Sequence, residues 1–216
     1  MLKIRNLTKI YERGIPVLDD INFEVQKGEF VILLGPSGAG KTTILKHIWL
    51  EELPTKGEIE FEKMNSAKLK KSQISFWRKK MGIVFQDFKF INSKDVFENT
   101  ALPLRIRNKR EKEIKKKVVA VLDKVDLSIC RNLFPQELSA GERQRLALAR
   151  TMVAEPLIIL ADEPIVHLDD KSAEQVMNLL KDVNQSGATI LMATNQNDFS
   201  VVFAHRIVKI EKGRII

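Results

Sequence analysis

The chain has one cysteine, Cys130, and three histidines. No disulfide can form within it, and no Cys/His cluster offers zinc-ligand spacing. Cys130 therefore reads as a small, buried, apolar residue. Long apolar runs are also missing. The longest, such as FVILL at 30–34 and LIILA at 157–161, fall far short of the roughly 20 residues a membrane helix needs. The opening MLKIRNLTKIYERG lacks the apolar core of a secretion signal, so the chain reads as cytoplasmic. There is no internal repeat and no low-complexity linker, which argues against an array or a disordered tether.

What is present suits an ordinary globular protein. At 216 residues the chain can form one sizeable α/β domain or two small ones. The net charge is +8, and it is unevenly spread. RIRNKREKEIKKK, residues 105–117, holds eight basic and two acidic residues. Such a run is either a solvated helix face or a contact with something anionic, a lipid surface or nucleic acid. It contains no aromatic residue, which argues against stacking on single-stranded nucleic acid.

Residues 1–34 alternate strand-like runs with turns at Gly14 and Gly28. Residues 35–43 read as a loop and 44–52 as a helix. EIEFE and MGIVFQD read as strands, 96–127 as charged helix, and 140–154 as a long helix. LIILADEP reads as a buried strand, 171–183 as a helix, ATILMAT as a strand, and RIVKIEKGRII as a closing hairpin. This order predicts an α/β fold: a core with a parallel sheet, an N-terminal antiparallel β layer and a helical subdomain.

Three segments carry chemistry. Gly35-Pro36-Ser37-Gly38-Ala39-Gly40-Lys41-Thr42 fits G-x-x-x-x-G-K-[ST] in full, between a strand and a helix. The glycines let backbone N–H groups converge on phosphate oxygens, and the helix adds its positive end. Lys41 supplies a charge for the β and γ phosphates, and the Thr42 hydroxyl a ligand for Mg2+. In LIILADEP, Asp162 and Glu163 emerge at the carboxyl end of an apolar strand, where ligands gather in open α/β sheets. Asp162 suits Mg2+, and Glu163 is placed to polarise a water. LSAGERQRLALAR opens on Ser139-Ala140-Gly141 before a helix, a second helix terminus suited to an anion. The first motif alone leaves small-molecule kinases, GTPases and motor ATPases open.

Taken together, the three segments resemble the ABC-type ATPases, whose signature reads LSGGQ, and the likeness runs the length of the chain. The resemblance implies a P-loop fold that binds ATP and Mg2+, with core residues 1–90 and 155–216 and a helical subdomain at 91–154 within a single domain. It implies that Tyr11 stacks on adenine and that Thr43 joins the phosphate loop. Gln86 lies near Mg2+ and the attacking water, and Asp169 belongs to the D-loop. Two copies pack head to tail, each ATP beneath Ser139, Ala140, Gly141 and Glu142 of the other copy. Within the family, VFQDFKF, VFENTALPL and ADEPIVHLD resemble the wording of the cell-division (FtsE) subfamily. That subfamily works with an integral membrane subunit, FtsX, at the inner membrane surface. Lipoprotein-release and macrolide-export ATPases share much of the wording.

Three positions depart from the family. Ala140 replaces a signature glycine, His167 stands where Asn or Ala is usual, and Asn195 replaces the histidine that touches the γ-phosphate. These departures keep a regulatory ATP sensor with weak hydrolysis in view. The chain has one P-loop and no room for a long coiled-coil insertion, which argues against the nucleic-acid and ribosome branches.

Overall fold

The computed structural model describes residues 1–12, 14–195 and 201–216. The chain begins with β1 (Leu2–Ile10), β2 (Pro16–Val25) and β3 (Phe30–Leu34), followed by α1 (Lys41–Ile48). Next come β4 (Lys56–Phe61), β5 (Met64–Asn65), α2 (Lys71–Lys79) and β6 (Met81–Val84). Three helices follow: α3 (Val96–Ile106), α4 (Glu111–Lys124) and α5 (Ala140–Met152). The chain ends with β7 (Ile158–Asp162), α6 (Asp170–Gln185), β8 (Thr189–Thr194), β9 (Arg206–Glu211) and β10 (Arg214–Ile215).

Two sheets form. One is antiparallel, in the order β2-β1-β4-β5. The other runs β10-β9-β3-β8-β7-β6, parallel apart from the β9-β10 hairpin. Its central strands β3, β7 and β8 are buried at every position and mostly apolar because both of their faces are covered. Phe30, Ile32 and Leu34 pack into one cluster with α3, α4, α5 and α6. Val31 and Leu33, on the alternate face, pack with α1 and the antiparallel sheet. The expected core, β layer and helical part are all present. No helix among the described residues is long and apolar enough to cross a membrane.

Some boundaries differ from the sequence reading. The helix expected over 44–52 is α1, which starts three residues earlier and stops before Leu50, whose φ is 60°. Lys41, Thr42 and Thr43 thus form its first turn. The strand expected over 81–87 ends at Val84, and the charged helical stretch divides where Asn108 takes a φ of 53°. Helix α2 carries little signal in the sequence, because KSQISFWRK buries only Trp77 fully.

Parallel register sets the site. Leu34 pairs with Thr194 and Asp162 with Ala193, and Val84 pairs with Ala161. The residues just past these strands therefore emerge along one edge: Gly35, Asn195, Glu163 and, beyond β6, Gln86.

Candidate active site

At that edge Lys41 is almost fully buried, with 5% of its surface exposed. Its ammonium donates to the carbonyls of Gly35 at 2.8 Å and Pro36 at 3.1 Å, and lies 3.3 Å from Glu163 Oε1. A buried ammonium needs such partners, since desolvating an unpaired charge is costly. Pro36, Ser37 and Gly38 are exposed along the loop, while Ala39 and Gly40 are buried beneath it. Gly40 takes a φ of 103°, and a Cβ there would sit 2.6 Å from Leu18 Cδ2. No other residue type fits this position without strain.

Helix α1 starts with no side-chain cap and no acid in its first turn. Helices α3, α5 and α6, by contrast, are capped by Asp95, Ser139 and Asp169. The first N–H groups of α1 are therefore open to an external acceptor.

The Thr42 hydroxyl donates to Asp162 Oδ1 at 3.0 Å. Burial pushes the Asp162 carboxyl up to about 6, against the pull of the Thr42 hydroxyl. One hydroxyl and one carboxylate suit Mg2+, which takes one or two protein oxygens and fills its shell with phosphate and water. No cluster of three or more metal-ligating side chains competes with this site among the described residues. Glu163 takes a φ of 46°, a rare conformation for a side-chain-bearing residue and one that recurs at functional sites. Its Oε2 accepts the Asn195 N–H at 3.2 Å, and the Asn195 carboxamide donates to Ser37 Oγ at 3.4 Å. Ser37, Asn195, Glu163 and Lys41 thus form one bonded chain, and the Thr42–Asp162 pair lies beside it, each member next in sequence to Lys41 or Glu163.

The other candidates lie outside that group. Gln86 is exposed in the turn after β6. Tyr11 follows β1, and its hydroxyl donates to Glu52 Oε2 at 2.6 Å. In the signature segment, Ser139 and Glu142 form a reciprocal cap at the start of α5. The Ser139 N–H and hydroxyl donate to Glu142 Oε2 at 2.8 and 2.7 Å, and the Glu142 N–H donates to Ser139 Oγ at 3.3 Å. Hydrogen bonds from Ser139 hold the Glu142 carboxyl below its ordinary range. Ala140 is exposed and keeps a negative φ, so its methyl group causes no backbone strain. A Cβ on Gly141 would lie 2.9 Å from Ser172 Oγ, and Ser172 is held by Asp169 at the start of α6. The signature and D-loop segments thus pack together. No hydrogen bond or ion pair among the described residues joins them to Lys41.

One minor reading is corrected, and a further buried residue lies near the site. Cys130 is only partly buried, and its thiol donates to Glu142 Oε1 at 3.6 Å. His47 is buried and its Nδ1–H donates to the Thr43 carbonyl at 2.6 Å, but its Nε2 has no partner among the described residues. The motifs gave no pointer to Glu52, His47 or Cys130 as neighbours of the candidate residues.

Burial, charge and register here define a nucleoside-triphosphate site of the P-loop kind. A family model described as "ABC transporter" matches residues 18–166. The cell division ATP-binding protein FtsE of Bacillus subtilis is 40% identical over 216 residues, covering 100% of this chain and 95% of that protein. The methionine import ATP-binding protein MetN of Francisella tularensis is 41% identical over 219 residues, covering all of this chain and 63% of that one. A solved dimer of an ATP-binding cassette in a post-hydrolysis state, bound to ADP and Pi, matches with a TM-score of 0.92 and 34% identity. That match covers 100% of this chain and 96% of the other. The chain belongs to the ABC transporter family. It is an ATPase, with ATP and Mg2+ as its cofactors.

Proposed function

We propose that the chain is the ATP-hydrolysing subunit of an FtsE-like complex, coupling closure of two copies to an integral membrane subunit resembling FtsX. One observation carries the catalytic part of this reading: the buried Lys41 ammonium sits 3.3 Å from Glu163, beside the Thr42–Asp162 pair. Lys41 and the open N–H groups of α1 hold the phosphates. Thr42 and Asp162 would hold Mg2+, which would neutralise phosphate charge, and Gln86 at the same edge would reach toward it. Glu163 orients and polarises the attacking water. Asn195 offers a neutral donor toward the γ-phosphate, and Tyr11 a platform for the base. The single domain divides into a core, residues 1–90 and 155–216, and a helical part, residues 91–154.

Ser139, Ala140, Gly141 and Glu142, with Asp169 nearby, have no phosphate of their own to hold. In a head-to-tail pair they would cover the ATP of the other copy. The cassette dimer with ADP and Pi supports this arrangement.

A groove of about 820 Å³ between α2, β6, α3 and α5 supports the membrane partner. Ile74, Phe85, Pro103 and Ile106 line it, with Arg78 and Arg107 also on its wall. Phe85 adjoins Gln86, so an occupant of the groove would reach the catalytic edge through one residue. The cell-division role rests on VFQDFKF, VFENTALPL and ADEPIVHLD and on the likeness to FtsE proteins.

The test is capture from detergent-solubilised membranes of the source organism, with Ile106→Glu as the groove control. The expected result is recovery of a four-span protein with a large extracytoplasmic loop by the native chain and not by the variant. Recovery of a many-span permease instead would replace the cell-division role with an import role.

A further inference from the structure

The Tyr11 ring is held from two directions. Its hydroxyl donates to Glu52 Oε2 at 2.6 Å, across 41 residues of chain. The Lys9 ammonium covers one face of the ring, 4.9 Å from the centroid. Lys9 is itself fixed: it donates to the Leu53 carbonyl at 3.0 Å and lies 3.4 Å from Glu52 Oε2. Lys46 of α1 approaches the other Glu52 oxygen at 3.7 Å. Tyr11 remains 41% exposed, so part of the residue is open to solvent.

A flat base stacks well only on a ring whose tilt is already fixed, because ordering a free side chain opposes binding. An aromatic on a turn is mobile unless tied down. Here Glu52 ties the phenol end, and Lys9 backs the ring by a cation–π contact. We infer that Glu52 is a positioning residue for base recognition, with Lys9 as its second support, and that together they set the Tyr11 ring as a platform for the adenine. This rests on the reading of Tyr11 as the base platform. The titration of the pair is consistent with it. Burial and the Glu52 carboxylate push the Tyr11 hydroxyl up to about 12, so it stays a donor at ordinary pH. Against the upward push of burial, the Tyr11 hydroxyl and the Lys9 and Lys46 ammoniums hold the Glu52 carboxyl below its ordinary range.

The test compares two probes on the full chain: Mg-ATP, and Mg-tripolyphosphate, which has the phosphates without the base. Glu52→Ala should weaken ATP binding by about threefold to tenfold and leave tripolyphosphate binding unchanged. Tyr11→Phe, which loses the hydroxyl and keeps the ring, should match it. The double variant should be no weaker than either single, because both remove the same bond. Glu52→Gln, which keeps an acceptor, should recover most of the loss. The inference is overturned if Glu52→Ala binds ATP normally while Tyr11→Ala does not. It is also overturned if Glu52→Ala loses tripolyphosphate as well, since the effect would then pass through α1. If Tyr11→Ala itself leaves ATP affinity unchanged, the reading of Tyr11 fails, and the inference with it.

Discussion

The carboxamide of Asn195 donates to Ser37 Oγ at 3.4 Å, while the backbone N–H of the same residue reaches Glu163 Oε2 at 3.2 Å. The residue standing in the histidine position thus ties the phosphate loop to the carboxylate beside Lys41. A carboxamide is neutral and shorter than an imidazole, and it cannot gain charge as the γ-phosphate departs. Loss of one well-placed donor in transfer chemistry costs on the order of 10²–10³ in rate. The native chain should therefore hydrolyse ATP slowly with normal affinity. Asn195→His should raise turnover by about tenfold or more, with little change in ATP Kd. Paired measurements of kcat and Kd check this, and rates within twofold of each other would remove Asn195 as the cause of slow turnover. Compensation by His167 has no support in the structure: His167 is exposed and no bond among the described residues joins it to the phosphate site. Gln196, the other possible substitute, lies outside the described residues.

Asp162 links pH, metal and stability. Burial raises its carboxyl to about 6, well above the ordinary 3.8. Between those values the folded chain binds the proton and the unfolded chain does not, so this group's contribution to stability falls as pH rises toward about 6. Above that pH the ionised carboxylate is a net cost, which a bound cation offsets. Asp162→Asn should therefore stabilise the metal-free chain at pH 7.5 by an amount on the order of 2 kcal/mol and so raise its Tm. It should also abolish hydrolysis. In the native chain, Mg-ATP affinity should decline as pH drops below about 6. Calorimetric melting and ATP titration across pH 5–8 check both; a lower Tm for the variant would contradict the account.

Association should depend on ATP. Glu163→Gln keeps the size of the side chain and removes the carboxylate that polarises water. It should trap a two-copy assembly that retains ATP, while the native chain with ADP stays monomeric. Sedimentation with saturating Mg-ATP reads this directly, and a variant that sediments as a monomer at high protein concentration would count against the head-to-tail pair.

The basic stretch is less free than its composition suggests. Arg105 is bound by Glu98 and Glu111, Lys109 by Glu113, and Lys117 by Glu155. Arg107 donates to the carbonyls of Ala154 and Lys79. Arg110, Lys112, Lys115 and Lys116 remain exposed around the start of α4. Each basic residue near an anionic leaflet contributes about 1 kcal/mol. Changing these four to Glu should weaken binding to vesicles containing anionic lipid, most strongly at low salt. Equal binding at every salt concentration would return the stretch to a solvated helix face.

The phosphate loop and the β3, β7 and β8 strands were legible in the sequence because their signals are local. A full motif spans eight adjacent residues, and a strand covered on both faces reads as a mostly apolar run. Long-range relations left no such trace. The Tyr11–Glu52 bond spans 41 residues and the Asn195–Ser37 bond 158, and neither pairing follows from a pattern. Helix α2 was invisible for a different reason. Its lysines and polar residues hide one anchor, Trp77, whose indole N–H donates to the Ile48 carbonyl at 2.8 Å. A lone cysteine carries no partner in sequence, while the fold sets Cys130 against Glu142.

The account stands on Lys41 and Glu163 doing different work at a separation of 3.3 Å. The most direct test measures ATP affinity and turnover side by side in the native chain, Lys41→Ala and Glu163→Gln. Lys41→Ala should lose ATP affinity by about tenfold or more, equivalent to at least roughly 1.4 kcal/mol. Glu163→Gln should bind ATP as the native chain does and turn it over at least about a hundredfold more slowly. Native turnover in Glu163→Gln, or native affinity in Lys41→Ala, would contradict the assignment of this pair.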